Sequence, residues 1–425
     1  MLKRVGLTLT AVALVAAAAV MVATAAQSKA QASDIVLGWD GDQSGPTVSA
    51  QSPIMHAIEA YFKMVNDAGG VSGHKLVLDE KDDGYSPANE LVVVKSLIND
   101  DHVPLIFGLG QSSGFGSILP VLTQSKTIGF MTQATLKDAS YPFQPYIYEG
   151  NCNYSDQGDV GLAYEMKHLN LKNLNGVKVG IVAINVASGT EWDQDLTAHI
   201  QKLGGTVVHE TLPATATDAS VQVQDLISNK VNFVMIHHAI SGGIVFLKSA
   251  DQYGLNVPIV TSFGPAQPAL YTSTPYNASK NTVVINCADP PTIAKTDQGK
   301  LALTTAQKYG YPSAEYTQSN WSLGWTAAET VVTALKNANG DYSSAGIQKA
   351  LNGLHGSNAL QTGLTPDISY SSVCHMGIRS ARPYTFNYKT GLLVPVGSFA
   401  QWQPYITNGY AGPGTCGVAH VKKSS

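Results

Sequence analysis

The apolar positions along this chain switch between two spacings. Residues 35–39 form a short continuous apolar run, the pattern of a buried strand, and 40–46 form a polar turn. From Ser52 the spacing changes. Ile54, Ala57, Ile58, Tyr61, Phe62 and Val65 fall on one helical face, Pro53 suits a first helical position, and Gly69-Gly70 stops the run. This predicts a helix over 52–67. A strand at 75–80, an acidic turn at 81–84 and a helix from Pro87 follow, the helix with Leu91, Val94, Leu97 and Ile98 on one face. Next come a strand at 104–107, a Gly/Ser turn at 108–116, a helix, a strand at 127–131 and a polar tip ending at Thr135.

After the polar stretch 151–157 the alternation restarts. Helices are predicted over 158–169, 192–203, 219–229 and 243–253, with strands at 177–184, 206–211, 232–236 and 258–261. The tips after three of these strands are polar: 185–190, 237–243 and 262–265. One more strand at 281–288 precedes helices at 296–309, 320–337 and 344–354, and 365–397 reads as strand and turn. Strict alternation of strand and helix predicts a parallel sheet covered by helices, and its restart predicts two similar, doubly wound α/β lobes.

Composition adds a compartment. Lys3 and Arg4 precede an apolar run over 5–22, then Ala30-Gln31-Ala32. That order is a secretory signal peptide over 1–32, which places the mature protein in the periplasm or outside the cell. No later segment has the length and apolarity to cross a membrane. Charged residues make up 13% and the net charge is −4, so no basic surface for nucleic acid is expected. The four cysteines (Cys152, Cys287, Cys374, Cys416) lie far apart, without the C-x-x-C spacing of zinc or redox sites. In an oxidising compartment they read as two disulfides, with three pairings open. No cofactor and no metal are called for.

The stretch 104–135 holds the most chemistry. In a parallel α/β sheet its two polar tips fall at the carboxyl ends of neighbouring strands, where such sheets place ligands. Hydroxyls and free N–H groups at a helix start suit a carboxylate or another anion. The same stretch contains Gly110-Gln111-Ser112-Ser113-Gly114, which fits the G-x-S-x-G nucleophile pattern. A hydrolase would also need an acid and then a histidine later in the chain, and His237, His238 and His375 are available. Against that reading, few strands precede Ser112 and no His-Gly-Gly segment supplies an oxyanion hole. The glycines at 108, 110 and 114 have the wrong spacing for a dinucleotide fingerprint.

Several ordered motifs give the chain a resemblance. They are Asp42-Gln43-Ser44-Gly45-Pro46 and Asn66-Asp67-Ala68-Gly69-Gly70-Val71-Ser72-Gly73, then Asp82-Asp83 before Ser86-Pro87-Ala88. Tyr154-Ser155-Asp156-Gln157-Gly158 and the acidic turn at Asp218 follow. In order and spacing the chain resembles the type I periplasmic solute-binding proteins of the branched-chain amino-acid ABC transporter group, over nearly the whole mature length. The resemblance implies two lobes, 34–150 plus 288–362 and 151–287 plus 363–425, joined by a three-strand hinge. A solute would be enclosed between them without chemistry on it, and an ABC permease in the inner membrane would be the partner of a monomer. A ligand-sensing receptor module is the alternative use of the same fold.

The resemblance also implies a ligand set. Ser112 and Thr135, with backbone near Gln133, fall where the family holds a ligand carboxylate, and Ser44 sits in the first matching motif. From the second lobe come Ser188, His238 and Phe263, and Trp321 is a further apolar contact. At the third tip the family's amino-acid binders place an acid for the ligand's ammonium. This chain has Thr261-Ser262-Phe263-Gly264 there, so the expected solute is a neutral polar molecule or an anion with an apolar body. Adjacent hinge strands near Asn151-Cys152 and Asn286-Cys287 imply a Cys152–Cys287 disulfide, which leaves Cys374 with Cys416.

Overall fold

A computed structural model describes residues 33–133, 135–140 and 142–401. The signal-peptide reading and Cys416 lie outside the described residues. Five strands, β1 (Ile35–Gly41), β2 (Leu76–Asp82), β3 (Leu105–Gly108), β4 (Ile128–Met131) and β5 (Ile147–Glu149), form one sheet in the order β2-β1-β3-β4-β5. Every pairing in it is parallel. A second sheet starts with β6 (Lys178–Ile184), β7 (Thr206–Leu212), β8 (Phe233–His237), β9 (Ile259–Thr261) and β10 (Thr282–Asn286), in the order β7-β6-β8-β9-β10. The two sheets therefore share one strand order. Antiparallel β11 (Ser380–Asn387) and β12 (Leu392–Pro395) extend the second sheet at its β10 edge.

The longer helices are α1 (Val48–Asp67), α2 (Pro87–Asn99), α3 (Phe115–Ser125), α4 (Tyr154–His168), α5 (Ala187–Lys202), α6 (Ser220–Ser228), α7 (Ile240–Tyr253), α8 (Asp297–Lys308), α9 (Ser319–Asn337) and α10 (Ser344–Leu351). Among the described residues none is long and apolar enough to cross a membrane. The late helix α9 returns to the first lobe and packs along α1. Gly324 makes that crossing close, since a Cβ there would meet the Ile54 carbonyl. Tyr61 and Trp325 then meet edge to face with centroids 4.8 Å apart.

Four helices begin earlier than their apolar periodicity predicts. Helix α1 starts at Val48 rather than 52, so Pro53 lies inside the helix. The cause is local. The buried Asp42 carboxylate accepts from the N–H groups of Ser44, Gly45 and Thr47 and from the Thr47 hydroxyl, which fixes the first turn. Helix α4 starts at Tyr154 because Asn153 caps it, accepting the Asp156 N–H at 2.8 Å. Helices α5 and α7 start at Ala187 and Ile240, within stretches predicted as polar tips.

The expected hinge pairing is present. Cys152, just after β5, is bonded to Cys287, just after β10, with Cα atoms 6.1 Å apart. Each cysteine N–H is accepted by the side chain of the asparagine before it, Asn151 at 2.9 Å and Asn286 at 2.7 Å. A third connection runs beside them: the Glu149 carbonyl accepts from the Tyr370 hydroxyl and the Gly377 N–H.

Candidate functional site

In sheets of this strand order ligands gather at the carboxyl ends of the strands where the order reverses. Those switch points are β1/β3 in the first sheet and β6/β8 in the second, and the two face one another. Between them lies a cavity of about 50 Å³. The first sheet's side contributes Thr47, Ala50, Tyr85, Gly110 and Gln133; the second contributes Tyr154, Ile184, Ser188, His237, His238, Ala239, Phe263 and Gly264. Among the described residues the lining holds no lysine, arginine, aspartate or glutamate.

Backbone geometry brings these groups close. Gly108 ends β3 in the left-handed region (φ 96°), and a Cβ there would collide with the Asp40 carbonyl. The chain can therefore turn tightly under Gly110. Tyr85 also has a left-handed backbone (φ 58°), held by its N–H donating to Asp83 Oδ1 at 2.7 Å and its carbonyl accepting from Gln111 Nε2 at 2.7 Å. Phe263 is placed by its N–H donating to Gln157 Oε1 at 2.8 Å, and its ring stacks on Tyr154 with centroids 5.8 Å apart.

The two sides touch directly. Ser112 Oγ lies 3.3 Å from Ser188 Oγ and accepts the Ser188 N–H at 3.3 Å. The Tyr154 hydroxyl donates to the Gln133 carbonyl at 3.1 Å, and Glu191 accepts the Lys137 N–H at 2.8 Å. Ser188 Oγ in turn lies 2.9 Å from His237 Nε2, whose Nδ1 lies 2.8 Å from Ser262 Oγ. Burial, reinforced by His238, pushes the His237 pKa down to about 3. The ring is neutral, so one nitrogen donates and the other accepts, and the chain from Ser112 to Ser262 is satisfied throughout. His238 is also held neutral by burial. Its Nε2 faces the carbonyls of Leu212 and Pro213, both at 3.2 Å, which leaves Nδ1 as a buried acceptor without a partner.

This arrangement is not a hydrolytic triad. Ser188 stands between Ser112 and His237, and the far side of His237 meets a hydroxyl rather than a carboxylate.

Of the residues expected to hold a ligand, Gln133, Ser188, His238 and Phe263 line the cavity, and Ser112 touches it through Ser188. Three are elsewhere. Thr135 is buried with its hydroxyl donating to the Cys152 carbonyl at 2.9 Å, so it faces the hinge. Ser44 is exposed. Trp321 is wholly buried in α9 against Tyr311 and Tyr316. Sequence reasoning missed Thr47, Tyr85 and Tyr154. Tyr154 stood in a quoted motif but read as a connecting segment, and Tyr85 followed an acidic turn with nothing apolar around it.

Comparison with known proteins bears on this geometry. A family described as "Periplasmic binding protein" matches residues 34–385. The chain belongs to that family. Its members bind solutes and do not transform them. The Leu/Ile/Val-binding protein homolog 3 of Brucella melitensis is 23% identical over 332 residues, 77% of this chain and 86% of that one. Among solved structures, a branched-chain amino-acid ABC transporter protein from Thermus thermophilus with bound valine superposes with a TM-score of 0.78 at 21% identity, covering 88% of this chain and 98% of that one. A fatty acid ABC transporter substrate-binding protein from Thermomonospora curvata gives 0.76 at 21% identity, covering 90% and 96%. These likenesses establish the two-lobed fold. Valine and a fatty acid differ so much that the fold alone does not select a solute.

Proposed function

We propose that this protein is the solute-binding component of an ABC importer, acting outside the cytoplasm as a monomer and delivering to an inner-membrane permease. It captures a small polar or carboxylate-bearing solute by hinge closure between lobes 34–150 plus 288–362 and 151–287 plus 363–425. Within that class an uncharged polar solute fits best. The observation that carries this choice is the charge-free lining of a cavity shared by both lobes. A carboxylate would meet no cation there. An ammonium would find no carboxylate in the lining. Hydroxyls, amides and aromatic faces remain, and they suit a neutral solute with a flat or apolar part.

A thermal-shift screen tests this, because a binder stabilises the native state by mass action. Neutral amides, polyols and aromatic alcohols are expected to raise the melting temperature more than matched carboxylic acids or amino acids. A shift confined to amino acids with a free ammonium would overturn the reading.

A further inference from the structure

Below the cleft, the first lobe buries three carboxyl groups together. Asp40 is the penultimate residue of β1, Asp83 follows β2 on the neighbouring strand, and Glu90 comes from the first turn of α2. All three are fully buried, and oxygens of all three lie within 4.8 Å of one another. An acidic cluster alone would mean little. Here Glu90 reaches in from a separate helix with both oxygens unpartnered, and Gly114 leaves its space, since a Cβ there would collide with Glu90 Oε2. The Gln111 N–H offers partial relief, short of a full hydrogen bond. Both Asp40 oxygens and Asp83 Oδ2 are also unpartnered; Asp83 Oδ1 is taken by the Tyr85 N–H. Five oxygens thus lack a full hydrogen bond, and among the described residues no lysine, arginine or histidine pairs with any of the three groups.

We infer that Asp40, Asp83 and Glu90 bind a hard divalent cation of calcium size. An all-oxygen, all-carboxylate set selects hard cations over zinc or copper. Calcium holds its oxygens at about 2.3–2.6 Å, so two of them can stand up to about 5 Å apart, which accommodates oxygens that all lie within 4.8 Å of one another. Magnesium, at about 2.1 Å, tolerates a narrower spread of at most roughly 4.2 Å across. Calcium takes six to eight oxygens, and the cluster brings together at least one from each of three carboxyl groups. The cation would also stiffen the cleft wall, because Asp83 holds the backbone of Tyr85, a lining residue.

The test needs no solute, so it stands apart from the transport reading. The chelator-treated protein is melted with calcium chloride, magnesium chloride or neither, alongside Glu90→Gln and Asp40→Asn. Calcium is expected to raise the wild-type melting temperature by several degrees, with a midpoint of about 0.1–1 mM, the range of extracellular calcium modules, and magnesium to do less. Both variants should lose that rise. Terbium luminescence sensitised by Trp39 and quenched by calcium gives a second readout if one variant fails to fold. No calcium-dependent shift in the wild type would overturn the inference. So would a shift of undiminished size in both variants, which would place the cation elsewhere.

Discussion

Replacing both hinge cysteines, Cys152→Ala with Cys287→Ala, tests the link between the lobes and leaves no odd thiol behind. The two residues are 135 positions apart in sequence. Closing a loop of that length removes denatured-state entropy equivalent to about 5 kcal/mol at 25 °C on the chain-entropy account. That is a ceiling, because residual structure in the unfolded chain lowers it. The loop runs from just before α4 to just after β10, so the effect falls on the second lobe. Urea unfolding followed by tryptophan fluorescence reports there through Trp192, which is fully buried and stacks on His237. The double variant should unfold at least about 1 M urea earlier than the oxidised wild type, given slopes of a few kcal/mol per M. The wild type in excess dithiothreitol should approach the variant. If the variant and oxidised wild type unfold within about 0.2 M of each other with equal slopes, the loop-closure reasoning fails.

Three further outcomes follow from the site. Ser112→Ala removes a contact made between lobes, so solute affinity should fall about fivefold, the equivalent of about 1 kcal/mol for a hydrogen bond, while turnover of a test ester stays at background; unchanged affinity by calorimetry would remove Ser112 from closure. Phe263→Ala should cost about 3 kcal/mol through the lost ring, in stability and solute affinity together, and Phe263→Leu should recover most of the stability but less of the affinity. Stability should peak in mild acid. Burial, then Asp159, pushes the Asp156 pKa up to about 8, so the native state keeps a proton the unfolded chain has lost, and stability falls as pH rises from about 4 to about 8. His237, pushed down to about 3, refuses a proton the unfolded chain accepts near 6.5, so stability also falls as pH drops below about 6.5. Between about pH 4 and 6.5 the two effects cancel, so melting temperatures should be level there and lower at pH 8.5, and Asp156→Asn should flatten the alkaline limb; a wild type most stable at pH 8.5 contradicts this assignment.

The two lobes and their strand–helix order were legible because each strand and helix carries its own apolar stripe toward a sheet. The early starts of α1, α4, α5 and α7 were not. Their first turns carry few apolar residues, and in α4 and α5 they touch the opposite lobe through Tyr154 and Ser188. Apolar periodicity is blind to contacts of that kind. The same blindness hid Tyr154, the first residue of α4, and Tyr85, which reaches the cavity from a left-handed turn. Ser188 and Phe263 were found because they follow strand ends, which the pattern does mark. Trp321 had the right chemistry for a ligand contact but sits on a helix face that packs within the first lobe.

The charge-free cleft has a kinetic consequence. A receptor that draws an ionic solute by long-range attraction slows as salt screens that field. With no charge in the lining and a neutral solute, there is nothing to screen. Encounter would then be governed by diffusion and by how often the lobes part, whatever the ionic strength outside the cell. Capture would track the concentration of the solute and not the salinity in which it is dissolved.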